Sequence, residues 1–243
     1  MNHGWIDIHN HIIPSVDDGS KDWEMSGQML RMAYNEGIRT IIATPHYHPR
    51  LNNPAQKTLQ LALERLRQMA HKINKSFDIY LGNEIYYHDS ALSALDFGVV
   101  NTIAGSNFIL VEFSADKDYL DIKNAINRLQ MGGYYPILAH VERYINLQKE
   151  LDRILQLVNM GIYMQVNAAS VTGENGFETK RFVKKLLKKQ LVHLIGTDAH
   201  NISRRPPKMK KCVQYLERKF GLDYTKQLIY TNALEIINNS PIF

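Results

Sequence analysis

The chain has 243 residues, with 29 Lys and Arg against 24 Asp and Glu, a formal net charge of +5 and a pI near 9.1. This length supplies one sizeable core and predicts a single domain over residues 1–243. The lone cysteine excludes an internal disulfide and a thiolate zinc cage, so any metal must be held by imidazole and carboxylate groups. The sequence has no signal-peptide pattern and no apolar run of about 18 residues, so we expect a cytoplasmic protein without membrane insertion.

Short β-rich runs alternate with amphipathic helical stretches along the whole chain. The predicted strands are WIDIH, TIIAT, FDIYLG, FILVEF, YPILAH, IYMQVN and LVHLIG. The predicted helices span 20–36, 54–75, 90–96, 120–130, 147–160 and 177–189, and two further helices close the chain. Seven such units predict a parallel sheet that closes, or nearly closes, into a barrel. No glycine-rich phosphate loop follows the first strand, which counts against an open dinucleotide-binding sheet.

The excess positive charge lies mainly in two late segments, 180–189 and 208–219. In the first, basic pairs recur every four residues and apolar residues fill the opposite side, which is typical of a helix with one solvated face. A binding patch for phosphate-rich partners is the alternative. Because the chain has no recognised nucleic-acid motif and no aromatic residues interleaved with these basic ones, we expect no stable nucleic-acid partner.

Side chains that bind metals follow nearly every predicted strand at the point where it ends. Because the carboxyl ends of parallel strands meet at one rim, we expect these side chains to converge. In the pairs His9-x-His11 and Asp198-x-His200, residues two apart point to the same side of a strand and can hold one ion together. The candidates are His9, His11, Asp17, Asp18, His46, His48, Glu84, Glu112, His140, Asp198 and His200.

This number of ligands exceeds the need of one ion. Buried carboxylates without partners are costly, so two or three ions that share bridging carboxylates are favoured. Nitrogen and oxygen ligands without thiolate suit Mn²⁺, Fe²⁺ or Zn²⁺. Paired ions generate hydroxide near neutral pH and stabilise phosphoryl displacement, which predicts hydrolysis. Arg143 follows His140 by three residues and Arg205 follows His200 by five, so both arginines are predicted at the rim, where a guanidinium can hold phosphate oxygens.

Six motifs run in order from about residue 5 to residue 240: DIHNH, TPH, NEIYY, LVEF, AHVERY and TDAHNISRRPP. Together they resemble the PHP family, named for its polymerase and histidinol phosphatase members. Within that family they are similar to the bacterial manganese-dependent protein tyrosine phosphatases of capsule and exopolysaccharide biosynthesis. The resemblance implies a single-domain α/β protein, a distorted (β/α)7 TIM-like barrel with about three divalent ions, of which Mn²⁺ is the expected one and Fe²⁺ or Zn²⁺ possible occupants.

The resemblance also implies a role for each candidate ligand. His9, His11 and Asp198 would hold one ion, and Glu84 would bridge it to a second. The other implied ligands are Glu112 and His140 for the second ion, and Asp18, His46 and His200 for the third. The family pattern gives His48 no ligand position, so we expect it either behind the ligands or on the rim. Asp17 and Asp18 are adjacent, and the sequence leaves open which of them faces the metal.

The implied reaction is hydrolysis of phosphotyrosine by a hydroxide that bridges two ions, with Arg143 and Arg205 on the substrate phosphate. The implied partner is the tyrosine-phosphorylated tail of a polysaccharide-biosynthesis autokinase at the cytoplasmic face of the membrane. The alternative is a PHP phosphoesterase that acts on a small ester such as histidinol phosphate. No general acid is identified from the sequence.

Cys212 and Arg218 match the C-x5-R spacing of cysteine-dependent tyrosine phosphatases. That chemistry needs a loop of free backbone amides and a thiolate with a lowered pKa. The intervening VQYLE predicts a helix, in which the amides are already bonded and the two side chains point about 120° apart. We therefore predict that Cys212 has no part in catalysis.

Overall fold

The structure is a computed structural model that describes residues 4–242, so residues 1–3 and 243 of the expected domain lie outside the described residues. Strands and helices alternate along the described chain, as predicted. The strands are β1 Trp5–Asn10, β2 Ile38–Ala43, β3 His46–Tyr47, β4 Asp78–Leu81, β5 Glu84–Tyr86, β6 Phe108–Glu112, β7 Tyr135–Leu138, β8 Tyr163–Asn167 and β9 Leu194–Gly196. The helices are α1 Trp23–Glu36, α2 Gln56–Ile73, α3 Ala91–Asp96, α4 Tyr119–Met131, α5 Ile145–Lys149, α6 Leu151–Asn159, α7 Ala168–Thr172, α8 Phe177–Lys188, α9 Lys210–Phe220, α10 Leu222–Lys226 and α11 Asn232–Ile237.

All strand pairs are parallel and form a curled sheet. The hydrogen-bonded orders are β1-β2-β4 and β3-β5-β6-β7-β8-β9. Strands β2 and β3 follow one another along the chain and are separated by a break that includes Pro45, which has no amide hydrogen to donate. Strands β4 and β5 also follow one another along the chain, with a break that includes Gly82. The Gly82 amide donates to the Ala43 carbonyl at 2.8 Å, which joins the end of β2 to the chain that follows β4. Strands β2 and β4 of the first set are therefore continued, after a short break, by β3 and β5 of the second set.

The sheet curls far enough to bring its first and last strands together. The His11 amide donates to the Ala199 carbonyl and the Asp198 amide donates to the His9 carbonyl, both at 2.8 Å. The buried carboxylate of Asp7 accepts from the Thr197 amide at 2.8 Å and from the Thr197 hydroxyl at 2.6 Å. These bonds place the end of β1 beside the loop that follows β9, which positions the functional site.

Two apolar clusters cover the two faces of the strands. In β6, Ile109 and Val111 belong to a large cluster with residues of α1, α2, α4, α6 and α8, whereas Phe108 and Leu110 belong to a smaller cluster with α11. This alternation is the period of two expected for a strand with both faces buried. Both predicted basic segments form amphipathic helices, α8 and α9, with most of their lysines exposed.

The helices predicted with bounds agree with the structure within a few residues, with one exception, and α7 was not predicted. The helix predicted over 147–160 is two helices, because Glu150 has an extended backbone, with φ −134° and ψ 99°. Helix α1 ends at Gly37, which has the left-handed φ of 102° that favours glycine after a helix. Between residues 4 and 242, no helix combines the length and the apolar character that crossing a bilayer requires.

Candidate functional site

The nine predicted ligands meet at the carboxyl end of the sheet, as the strand-end argument predicted. They lie at or just after the carboxyl ends of β1, β6, β7 and β9 and at the first residues of β3 and β5, except Asp18, which lies in the loop after β1. We call these nine side chains the ligand cluster. They are His9, His11, Asp18, His46, Glu84, Glu112, His140, Asp198 and His200.

Glu84 lies at the centre of the ligand cluster and is 1% exposed. Its Oε2 is 3.0 Å from His9 Nε2, 3.1 Å from His11 Nε2 and 3.2 Å from His46 Nδ1. Its Oε1 is 2.7 Å from His140 Nε2. Burial opposes ionisation of Glu84, but His9 and its neighbouring histidines outweigh burial and hold the pKa well below its usual range. Glu84 is therefore a carboxylate with both oxygens directed at imidazoles.

Potential ligand atoms form three overlapping sets, in each of which the atoms lie within 4.8 Å of one another. The first set is His9, His11, Glu84 and Asp198; the second is His11, Asp18, His46 and His200; the third is His46, Glu84 and Glu112. Among the described residues, His140 is the one predicted ligand outside these sets, although its Nε2 lies 3.6 Å from Glu112 Oε2. His48 belongs to no set in the part of the chain that is described, as expected for a residue without a ligand position.

The structure distinguishes Asp17 from Asp18. Asp17 Oδ2 lies 2.9 Å from His11 Nδ1 and accepts from the His46 amide at 3.0 Å, so Asp17 lies behind these imidazoles. Asp18 Oδ1 lies 3.3 Å from His200 Nε2 and 3.4 Å from His46 Nε2, so Asp18 faces the ligand cluster. Asp17 therefore orients an imidazole, whereas Asp18 has the position of a ligand.

The electrostatic field of the cluster favours positive charge. Burial opposes protonation of His46, but hydrogen bonds to Asp18 and Glu112 outweigh it and raise its pKa to about 11. Burial likewise opposes protonation of His11, and the neighbouring carboxylates, led by Asp17, raise its pKa to about 9. A site that raises the pKa of several imidazoles attracts cations, and divalent ions would compete with these protons.

Three buried atoms of ligand-cluster residues, His140 Nδ1, Asp198 Oδ1 and His200 Nε2, lack a hydrogen-bond partner among the described residues, and the last two face other members of the cluster. A buried polar atom without a partner is costly. The Asp198 and His200 atoms fit a metal ion held between them and their neighbours.

The two predicted arginines lie on the outer side of Asp198. Arg143 Nη2 is 2.6 Å from Asp198 Oδ2, and Arg205 Nη2 is 2.5 Å from the same oxygen. Asn167 Nδ2 also donates to this oxygen, at 2.8 Å. His140, with a left-handed φ of 32°, begins the turn that carries Arg143. The Arg205 carbonyl accepts from the His200 amide at 2.8 Å, which ties the arginine loop to the cluster.

Sequence reasoning missed two polar residues of β8. Gln165 Oε1 lies 3.1 Å from His9 Nδ1 and accepts from the His140 amide at 2.8 Å. Gln165 Nε2 in turn donates to Asn167 Oδ1 at 2.9 Å. Both residues are buried, and their alternation in IYMQVN is the signal that could have found them, because it places two amides on one face of an interior strand.

The curled parallel sheet, with a cluster of nine candidate ligands and two arginines, defines an α/β protein with a candidate metal centre. A family model described as "Capsular polysaccharide synthesis, CpsB/CapC" matches residues 5–238. The chain therefore belongs to the CpsB/CapC family.

Relatives of known name match the chain over its length. Tyrosine-protein phosphatase CpsB of Streptococcus pneumoniae is 34% identical over 242 residues, which cover 98% of this chain and 100% of the relative. Tyrosine-protein phosphatase YwqE of Bacillus subtilis (strain 168) is 31% identical, with 98% of this chain and 93% of the relative covered. A crystal structure from work on YwqE of Bacillus subtilis and CpsB of Streptococcus pneumoniae, described as unique metal-dependent tyrosine phosphatases, matches with a TM-score of 0.91 and 31% identity over 98% of this chain and 96% of that chain.

Proposed function

We propose that this chain is a metal-dependent protein-tyrosine-phosphatase. The observation that carries the proposal is the overlap of three sets of ligand atoms around Glu84, with Arg143 and Arg205 on the outer oxygen of Asp198. Relatives named tyrosine-protein phosphatase, and a similar structure described as metal-dependent, support it. The reaction is hydrolysis of a phosphomonoester.

We assign the ligand cluster to three divalent ions. Imidazole nitrogens and carboxylate oxygens without thiolate form a donor set that Mn²⁺, Fe²⁺ and Zn²⁺ all accept, and we propose Mn²⁺. Glu84, with histidines at both oxygens, would hold more than one of these ions. The assigned ligands are His9, His11 and Asp198 for the first ion, Glu112 and His140 for the second, and Asp18, His46 and His200 for the third.

Bound divalent ions would lower the pKa of coordinated water and offset the charge of the phosphoryl group. The chain's own residues bind and orient the substrate. Arg143 and Arg205 turn from Asp198 Oδ2 to the phosphate oxygens, while the Asn167 amide keeps that carboxylate oxygen hydrogen-bonded. Gln165 and Asp17 hold the Nδ1 atoms of His9 and His11, so that both Nε2 atoms stay directed at the centre. A phenol, with a pKa of about 10, leaves more readily than an aliphatic alcohol, so the chain has less need of a proton donor.

The same proposal includes a barrel architecture for the sheet and a phosphorylated protein as the partner. We count β2 with β3 and β4 with β5 as single interrupted strands, which makes the curled sheet the distorted (β/α)7 barrel of the PHP family. We propose that the substrate is the phosphotyrosine tail of a polysaccharide-biosynthesis autokinase, met by a cytoplasmic enzyme at the membrane face. The description of the family by capsular polysaccharide synthesis supports this choice of partner.

Metal analysis of the purified chain, combined with an assay on phosphotyrosine peptide, tests the proposal. We expect activity to disappear on chelation and to return with Mn²⁺. Asp198→Asn should lower turnover by more than about 100-fold, because even changes behind the ligands of a metal site cost about 10- to 100-fold. Asp116→Asn, an exposed aspartate outside the site, is the matched control. Activity that survives chelation, or an Asp198→Asn variant with normal turnover, would contradict the proposal, and faster hydrolysis of histidinol phosphate would favour a small-ester phosphoesterase.

A further inference from the structure

A cavity of about 330 Å³ borders the ligand cluster, and its lining, among the described residues, includes neither Arg143 nor Arg205. Asp18, His46 and Glu112 line the part of the cavity that belongs to the ligand cluster. The part next to solvent is lined by the loop over residues 48–53. We propose that this cavity, which we call the aryl cleft, binds the phenol ring of the tyrosine whose phosphate lies at the ligand cluster. This inference rests on the proposed function.

An aromatic pair, His48 and Tyr86, lies two residues along the chain beyond the ligands His46 and Glu84. His46 pairs with Glu84 across β3 and β5, so the residues two positions further along, His48 and Tyr86, face each other at the rim. Their ring centroids are 4.5 Å apart, at an interplanar angle of 32°. Tyr86 is also the register partner of Glu112 on β6. An aromatic surface therefore lies about 7 Å, two residues of strand, beyond the level of the ligands.

The loop that carries His48 is held in place by its own hydrogen bonds. Asn53 Oδ1 accepts from the His48 amide at 3.0 Å, and Asn53 Nδ2 donates to the His48 carbonyl at 2.9 Å. The Arg50 amide donates to His48 Nδ1 at 3.2 Å, which fixes the ring and commits that nitrogen to the loop. His48 is thus an oriented aromatic wall of the cleft, already in place before a substrate ring arrives.

Leu51 gives the aryl cleft an apolar edge. Its side chain lines the cavity yet is 67% exposed, so it has apolar surface that a bound ring would cover. Val16 lines the same cavity and packs against the large apolar cluster. An apolar edge beside a ring wall suits a phenol ring and offers nothing specific to the short chain of phosphoserine. The cleft therefore selects aryl over alkyl phosphate esters.

A second cavity at the ligand cluster has a different character. Its volume is about 370 Å³, and its charged lining is mostly cationic, with Arg143, Arg204, Arg205, Lys208 and Lys211 against Glu36, Glu174 and Asp198. Cationic side chains suit the phosphate and acidic groups, whereas the ring needs apolar surface. The two cavities thus divide the substrate, with phosphate towards the arginines and phenol towards His48 and Leu51.

Steady-state kinetics of three variants with phenyl phosphate and glycerol 2-phosphate test the aryl cleft. We expect His48→Ala and Leu51→Ala each to raise KM for phenyl phosphate about 3- to 10-fold, the range of a lost ring contact, with little change in kcat. His48→Phe, which restores a ring, should return KM to within about 2-fold. The constant for inhibition by inorganic phosphate and the KM for glycerol 2-phosphate should not move. Leu155→Ala, at an exposed leucine of α6, is the matched control.

Other results of these experiments contradict either the aryl cleft or the proposed function, and the two cases can be told apart. If the native chain hydrolyses phenyl phosphate with Mn²⁺ and the His48 and Leu51 variants keep its KM, the aryl cleft is wrong and the phosphatase stands. If Lys208→Ala instead raises KM for phenyl phosphate and leaves KM for glycerol 2-phosphate unchanged, the ring lies in the basic cavity, which also overturns the inference. A native chain that hydrolyses neither ester with any divalent ion contradicts the proposed function itself.

Discussion

The buried ionisable side chains of this protein fall into two groups with opposite electrostatics. In the ligand cluster, carboxylates and imidazoles face each other, so the pKa of Glu84 and that of Asp198 are lowered although burial opposes it, and the pKa of His11 is raised to about 9. Away from the cluster, burial raises the pKa of the Cys212 thiol and lowers the pKa of His193 to about 4. Glu84, Asp198 and His11 thus favour their charged forms, whereas the Cys212 thiol and the His193 imidazole stay neutral near pH 7.

The difference shows why the spacing of two residues does not define a phosphatase site. Cys212 lies in α9 and is 1% exposed, whereas Arg218 lies on the exposed side of the same helix. The predicted helix is confirmed, and the amides between these residues belong to its hydrogen-bond ladder. A thiol whose pKa is raised by burial is a poor nucleophile. Reactivity follows from the partners around a buried group, and in this chain those partners are at the strand ends.

Outside the proposed ligands, the largest effect is expected where a partner behind the ligand cluster is removed. Asp17→Ala takes away the carboxylate on His11 Nδ1 and the acceptor of the His46 amide, so the imidazoles lose their fixed orientation. We expect about a 10- to 100-fold loss of Mn²⁺ affinity or activity, with partial recovery of kcat at high Mn²⁺. Titration of activity with Mn²⁺ measures this shift, with Asp116→Ala as the control. An unchanged Mn²⁺ dependence would show that Asp17 does not orient the ligands.

The residue types at the strand ends explain how much of the fold and of the ligand cluster could be predicted from the sequence. The ligands and both arginines follow β-rich runs, so topology alone brings them to one rim. The sequence could not separate Asp17 from Asp18, because their roles depend on how the loop after β1 turns. Gln165 was missed because an amide within an interior strand has no chemistry of its own until His9 lies beside it. The break at Glu150 was missed because it interrupts an otherwise regular amphipathic pattern.

A smaller effect, on stability, is expected from His193. Its folded-state pKa of about 4 lies below the ordinary value of 6.5, so the unfolded chain takes up a proton between these pH values while the folded chain does not. This contribution to stability is complete above pH 6.5 and is lost as the pH falls towards 4, with about 2 kcal/mol lost between pH 7 and pH 5. His193→Asn keeps an acceptor for the Met164 amide but does not titrate.

Urea unfolding of the native chain and His193→Asn at pH 7, 6 and 5 measures this difference. The ligand cluster is present in both proteins, so its own pH dependence cancels in the comparison. We expect the free energy of unfolding to fall more steeply with acid in the native chain. Parallel curves would mean that His193 is protonated in the folded state, and the division into charged and neutral groups would then fail at this residue.

The smallest effect is expected at Cys212. Cys212→Ser puts a hydroxyl into the large apolar cluster, which costs about 1 to 2 kcal/mol of unfolding free energy and lowers Tm by about 2 to 4 °C for each kcal/mol. Hydrolysis of phosphotyrosine peptide should stay within about 2-fold of the native rate, because the thiol is neutral and lies outside the ligand cluster. Cys212→Ala, which removes the thiol without adding a polar atom, separates the two effects. If both variants lost activity while still folded, the cysteine would be part of the catalytic site, and the contrast between a charged cluster and a neutral buried thiol would be wrong.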